Sequence, residues 1–114
     1  MYIYSTMVIV LNNLPKVSLN KWYSGIHWTK RKKIKDNYID VVKSQFSKVF
    51  SKDNKYTVSY YFEFKSRPLD ASNCVAMVKM IEDILFENDG YKVVESITIH
   101  SRKSTEDRVT IKIN

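Results

Sequence analysis

The spacing of apolar residues switches repeatedly along this chain between a period of two and a period near 3.6, and the order of those switches constrains the fold. In residues 2–11, Tyr2, Tyr4, Thr6, Val8 and Val10 alternate with Ile3, Ser5, Met7, Ile9 and Leu11. Both sets are mostly apolar, which predicts a strand covered on both faces. Asn12-Asn13-Leu14-Pro15 breaks it, and residues 14–29 read as irregular. Residues 29–50 read as a helix with Thr29 as N-cap, because Ile34, Tyr38, Val41, Val42, Gln45, Phe46 and Val49 fall on one stripe. Residues 55–66 read as a strand, aromatic and β-branched from Tyr56 to Phe64 and ended by Arg67-Pro68. A second helix is expected over 72–86, then a turn at Asn88-Asp89-Gly90. Strands at 92–101 and 107–113 follow, with residues 102–106 suited to a hairpin between them. The order strand, loop, helix, strand, helix, strand, strand predicts a mixed α/β domain of α+β type. It has about four strands and two main helices.

The chain has 114 residues, enough for a single domain over 1–114 with one modest core. Two glycines and two prolines leave little room for linkers. No apolar run approaches the roughly 18 residues of a membrane span. Met1 to Leu11 lacks a signal-peptide pattern, so a cytoplasmic location is expected. Cys74 is the only cysteine, which rules out an internal disulfide, and its place on a helical pattern predicts a small core residue.

Charge is uneven. The net charge is +7, but residues 1–70 carry a balance of +8 and residues 71–114 one of −1. The densest stretch holds Lys21, Lys30, Arg31, Lys32, Lys33 and Lys35 without an acid. A polyanion is the natural partner of such a surface, since each phosphate contact releases condensed counterions. A merely solvated basic helix is the competing reading. Placing this charge in the first turn of a helix opposes the helix dipole. Just upstream, Trp22, Tyr23, His27 and Trp28 are interleaved with lysines, a pattern suited to stacking on unpaired bases, or to packing on the chain's own core. His27 has no partner at metal-ligand spacing.

The stretch from Arg67 to Asp89 carries the chemistry. On the second helix, Cys74, Val78, Ile81 and Leu85 form the core face, whereas Ser72, Ala76, Lys79 and Asp83 form a second, mostly polar strip. Asp70 lies just before that strip and Asp89 just after the helix. Phosphodiester hydrolysis requires charge stabilisation on the phosphoryl oxygens, which Mg²⁺ held by a few carboxylates supplies. Asp70, Asp83 and Asp89 are candidate ligands if Asp89 returns beside Asp70, and Lys79 can neutralise a phosphate or leaving oxyanion. The alternative is a wet helix face with Lys79 and Asp83 as a four-spaced ion pair.

Leu69-Asp70-Ala71-Ser72-Asn73, Lys79, Glu82-Asp83-Ile84-Leu85 and Asn88-Asp89 together resemble the RusA-type Holliday-junction resolvases (crossover junction endodeoxyribonucleases). The upstream Pro15-x-x-Ser18-x-Asn20 and the element order agree with that family across nearly the whole chain. The resemblance implies a RusA-like fold, a homodimer, branched or four-way DNA as partner, and Mg²⁺-dependent nicking in DNA recombination and repair. It further implies a phage or prophage origin within a bacterial host cell. Asp70 and Asp89 match family aspartates and would be metal ligands, and Lys79 and Asp83 match the helix lysine and the aspartate after it. Lys21, Lys30, Arg31, Lys32, Lys33, Lys35 and Arg67 are the expected DNA contacts. Ser72 and Asn88 stand where the family pattern has further aspartates, and Lys79 comes six residues after Asn73 rather than three. These departures keep open a junction-binding protein with weak or lost cleavage. A protein-interaction module without a DNA role is the remaining alternative.

Overall fold

The computed structural model describes residues 6–114. They form strands β1 (Met7–Asn12), β2 (Tyr56–Phe64), β3 (Val94–Lys103) and β4 (Arg108–Ile113), with helices α1 (Leu19–Tyr23), α2 (Trp28–Gln45) and α3 (Val75–Leu85). A 3-10 turn, Ala71–Cys74, leads directly into α3. The strands make one sheet in the order β1-β4-β2-β3. β2 runs parallel to β3 and antiparallel to β4, and β1 runs antiparallel to β4. This is the expected small α+β domain with a four-stranded mixed sheet.

The sheet order corrects two expectations. First, β3 and β4 are consecutive but not paired, because β2 lies between them. Residues 104–107 therefore cross over the end of β2 rather than forming a hairpin. The crossing is held there: Ser104 N donates to Phe64 O at 2.8 Å, and Lys65 N donates to Asp107 Oδ1 at 2.8 Å. Second, β1 is an edge strand covered on one face. Ile9 and Leu11 are buried, whereas Val8 and Val10 are 54% and 45% exposed. The part of the expected strand at residues 2–5 lies outside the described residues.

The core lies between the sheet and the α2–α3 layer. Leu11, Val58, Tyr60, Phe62, Val109 and Ile111 from the strands meet Tyr38 and Val42 of α2 and Val78, Ile81 and Leu85 of α3. Cys74 is buried in this core, as expected, and burial pushes its thiol up to about 11. The α2 stripe departs from the predicted helix at its end. The helix stops at Gln45, Phe46 turns extended, and Val49 is exposed. Phe46, Phe50, Tyr56 and Phe86 then gather into an aromatic cluster. Phe50 also joins the chain after α3, its N–H donating to Leu85 O at 2.7 Å and its carbonyl accepting from Glu87 N at 3.0 Å. This aromatic packing ends the helix five residues before the periodicity does.

Residues 14–29 are less irregular than expected. Ser18 Oγ accepts from Lys21 N at 3.0 Å and caps α1. His27 caps α2 in place of Thr29, its Nδ1 accepting from Thr29 N at 3.3 Å. Trp22 packs against the core, with Arg31 and Lys35 over its ring at 5.3 and 5.9 Å.

The one-sided burial of β1 is directly testable. Leu11→Ala is expected to lower unfolding free energy by about 2–5 kcal/mol, and Val10→Ala by no more than about 0.5 kcal/mol, both read from urea denaturation. Equal losses would show that the outer face of β1 is covered.

Candidate functional site

Helix α3 is buried on nearly every side. Ala76, Met77, Val78, Met80, Ile81, Glu82 and Leu85 are all inaccessible. The polar strip read from the sequence is therefore narrower than expected, since Ala76 is core and Lys79 and Asp83 are its exposed members on α3. The turn after α3 returns Asp89 to this strip. Lys79 Nζ donates to Asp89 Oδ2 at 2.9 Å, so the lysine pairs across to the turn rather than with Asp83 one helical turn away. Asp83 and Asp89 act on one another electrostatically, the charge of Asp89 raising Asp83.

The turn that places Asp89 is built locally. Asn88 Oδ1 accepts from Gly90 N at 2.7 Å, and Gly90 O accepts from Val93 N at 2.9 Å. A Cβ on residue 90 would meet Asn88 Oδ1 at 2.9 Å, so glycine there lets the Asn88 side chain close over its own turn. Asn88 is thus spent on backbone geometry.

Electrostatics divide the two aspartates. The Lys79 hydrogen bond holds Asp89 below the usual carboxylate range. Partial burial, and next the charge of Asp89, raise Asp83, while Lys79 and Lys35 pull the other way. The hydrogen bond to Asp89 likewise raises Lys79. Behind them sits Glu82, 5% exposed, whose Oε1 accepts from Tyr60 Oη at 3.3 Å. Burial, with added repulsion from Asp89 and Asp83, pushes Glu82 up to about 7. The sequence carried a signal for it: Glu82 follows Val78 by four residues and so interrupts the apolar face.

Asp70 is carried by a different element. It precedes the 3-10 turn, where its carbonyl accepts from Asn73 N at 2.8 Å. Among the described residues, no hydrogen bond or ion pair joins its side chain to Lys79, Asp83 or Asp89. Ser72 is exposed on the same turn. Among the described residues, no group of three or more His, Cys, Asp or Glu side chains is placed to hold a metal ion. A Mg²⁺ ion needs less than that, since it commonly takes one or two carboxylates and completes its shell with water and substrate oxygens. Asp83 and Asp89, which act on one another electrostatically, are the one or two carboxylates such an ion would take.

Across from Asp83 stands the basic helix. Lys35, Ile39 and Lys43 of α2 and Met80, Asp83 and Ile84 of α3 line a groove of about 190 Å³. The expected DNA contacts divide by position. Lys21, Lys30 and Lys33 border a second groove with Gly25, Ile26 and His27, beside the exposed rings of Tyr23 and Trp28. Lys32 is engaged with Asp36 at 2.9 Å. Arg31 is half-buried and donates from Nη2 to Trp22 O at 2.6 Å, which ties it to the α1 segment. Arg67 is exposed near Lys16, whose Nζ donates to Arg67 O. His27, serving as a helix cap, points to no metal.

No protein-family model matches the chain, and no curated protein sequence matches it. Among the described residues no helix is long and apolar enough to cross a membrane.

The raised Glu82 carboxyl has a consequence for stability. Its folded-state value of about 7 exceeds its ordinary 4.5, so the folded protein binds the extra proton between those values. Stability contributed by the protonated form is present below about pH 4.5 and is lost as pH rises to about 7. Glu82→Gln is expected to flatten this fall and to be more stable than the parent at pH 8, measured by urea unfolding across pH. An unchanged slope would mean that Glu82 titrates normally.

Proposed function

We propose that this chain is a Mg²⁺-dependent, structure-specific endodeoxyribonuclease that binds and nicks four-way or branched DNA junctions. The observation that carries the reading is the meeting of Lys79, Asp83 and Asp89 at one exposed spot facing the basic helix α2. The motif resemblance to RusA-type resolvases supports it, with the homodimer and the bacterial or phage setting that resemblance implies. Asp83 and Asp89 would hold the ion. Bound there, Mg²⁺ would supply Lewis-acid stabilisation of the phosphoryl oxygens. Lys79, paired with Asp89 at 2.9 Å, would neutralise the leaving oxygen. Lys35 and Lys43 flank the groove where a phosphate would approach. Lys21, Lys30 and Lys33, with Tyr23 and Trp28, form a separate basic and aromatic contact for the arms or the open centre of a junction.

A second reading, a junction-binding protein that cuts weakly or not at all, is favoured by one observation. Among the described residues no contact ties Asp70 to the other two aspartates, and Ser72 and Asn88 stand where the family pattern has further carboxylates. Under that reading the basic grooves keep their role and the acidic pair does not hold a catalytic ion.

A labelled four-way junction, with duplex and single-strand controls, separates the two. Mg²⁺-dependent paired nicks are expected, abolished by Asp83→Asn and Asp89→Asn and reduced about a hundredfold or more by Lys79→Ala. Terbium luminescence should report ion binding that disappears with the same aspartate changes, independently of cutting. A loss on Asp70→Asn as large as on Asp89→Asn would place Asp70 in the working site, against the geometry. Tight junction binding without nicks, in the parent and in Ser72→Asp, would leave the binding reading standing.

Junction affinity should also fall steeply with salt. Lys30→Ala and Lys33→Ala are each expected to reduce the slope of log K against log salt by about 1. Lys32→Ala should change it less, since Lys32 is engaged with Asp36. Fluorescence anisotropy over a salt series reads both, and identical slopes for all three variants would remove Lys30 and Lys33 from the interface.

A further inference from the structure

The sheet has two faces, and the helices cover one. On the other, the outward residues of β4, β2 and β3 line up. Tyr61 of β2 stacks on His100 of β3 with ring centroids 4.5 Å apart and planes within 5°. Lys112 of β4 stands over the Tyr61 ring at 5.1 Å. With one face of Tyr61 taken by His100, the lysine and the imidazole make a three-membered ladder across the sheet. Its last member is exposed, and β3 is the edge strand, so the ladder ends in an open ring face. These residues, with Glu63, Arg102 and Thr110, line a shallow depression of about 450 Å³.

The charge of this face is positive. Arg102 and Arg108 both donate to Glu63, one to each carboxylate oxygen. The arginine hydrogen bonds hold Glu63 well below the usual carboxylate range, so it stays ionised. Arg108 also pairs with Glu106 at 3.6 Å, so Arg102 shares its one carboxylate, and among the described residues no ion pair engages Lys112. The Thr110 hydroxyl lies between Lys112 and Arg108 along β4, and Ser59 and Thr98 lie level with Lys112 across the sheet. An open aromatic face, flanking cations and small hydroxyls are what a base and its phosphate require: the ring stacks, the cations neutralise, and the hydroxyls bond the sugar and base edges. A duplex offers no free base face, so the ladder selects an unpaired strand.

We propose that the outer face of the sheet is a binding site for single-stranded DNA, with an unpaired base stacking on His100 beside Tyr61 and its phosphates drawn to Lys112, Arg102 and Arg108. The choice of DNA over RNA rests on the nuclease reading above; the stacking does not. The site is separate from Lys79, Asp83 and Asp89, which belong to the helix face. It would hold a strand released at a branch while the carboxylates address the duplex arm.

The test is binding of a fluorescein-labelled oligodeoxythymidylate to the full chain without Mg²⁺, so that no cleavage is needed. His100→Ala and Lys112→Ala, both at exposed positions, are each expected to weaken binding about fivefold or more. Lys48→Ala, at an exposed position beyond the end of α2, should leave it within twofold. A 5-iodouracil oligonucleotide should photocrosslink to a peptide containing Tyr61 or His100. Unchanged affinity in both sheet variants, crosslinks confined to the Trp22–Trp28 segment, or preference for oligouridylate over oligodeoxythymidylate would overturn the proposal. So would sedimentation showing that the same face joins two copies of this chain and that His100→Ala separates them. A protein that nicks no junction yet shows the expected losses leaves this site standing and removes only the nuclease reading.

Discussion

Neighbouring parallel strands cannot be joined by a tight turn, and β2–β3 is such a pair. The chain must leave the sheet at Phe64, cross its face and re-enter at Val94, and the 3-10 turn with α3 is that crossing. Because α3 lies beneath β2 and against α2, it is buried almost all round. Its exposed polar positions are confined to Lys79 and Asp83, and the return to β3 passes directly beside them. The carboxylate pair therefore follows from the crossover itself. The short parallel bridge between Phe50 and Phe86 fixes where α3 ends, and so where the turn carrying Asp89 begins.

The helices carry charge at ends where their dipoles disfavour it. No acid stands in the first turn of α2, which leads into Lys30 to Lys35, and no base stands in the last turn of α3, which holds Glu82 and Asp83. Each arrangement costs a few tenths of a kcal/mol or more in an isolated helix. Packing the two helices together offsets part of this, since Lys35 acts on Asp83 across the groove. The offset is incomplete: Glu82 is driven toward its neutral form, and Lys21, Lys30 and Lys33 face solvent rather than acids. Sites that bind polyanions and hard cations show this kind of unresolved charge, because the ligand completes the balance.

How much of this was legible depended on whether a feature is local. The strand at 55–66 and the helix at 72–86 were readable because periodicity reports burial, and burial here follows single elements. Cys74 in the core and the mixed sheet followed for the same reason. Sheet order was not readable, since alternation in residues 92–101 and 107–113 is the same whether they pair with each other or with β2 between them. That is why the expected hairpin gave way to a crossing. The doubly apolar pattern of β1 could not reveal that β1 sits at an edge. Helix α2 ended early because Phe46 and Phe50 serve a tertiary aromatic cluster, which keeps their periodicity while changing their backbone. In the candidate site, Lys79, Asp83 and Asp89 share a strip by helical arithmetic plus one turn. Whether Asp70 meets them depends on the path of the chain after α3, which periodicity does not report.

The same topology explains why aromatic chemistry recurs on the uncovered face. β2 is the one strand with neighbours on both sides that is also flanked by a parallel edge strand. Its inward residues Tyr60, Phe62 and Phe64 stack along the strand within the core. Its outward residues have only their lateral neighbours to pack against, so Tyr61 finds His100 on β3 and Lys112 on β4. A face with no helix over it would ordinarily be filled with small polar and charged side chains. Rings there gain little from burial within the monomer, and the outermost of them gains least. A flat ring held in register at the sheet edge, with Arg102 next along its face of β3, keeps an open face. The helix layer carries the carboxylates and the bare sheet carries the rings, so the two sides of one small domain present different chemistry.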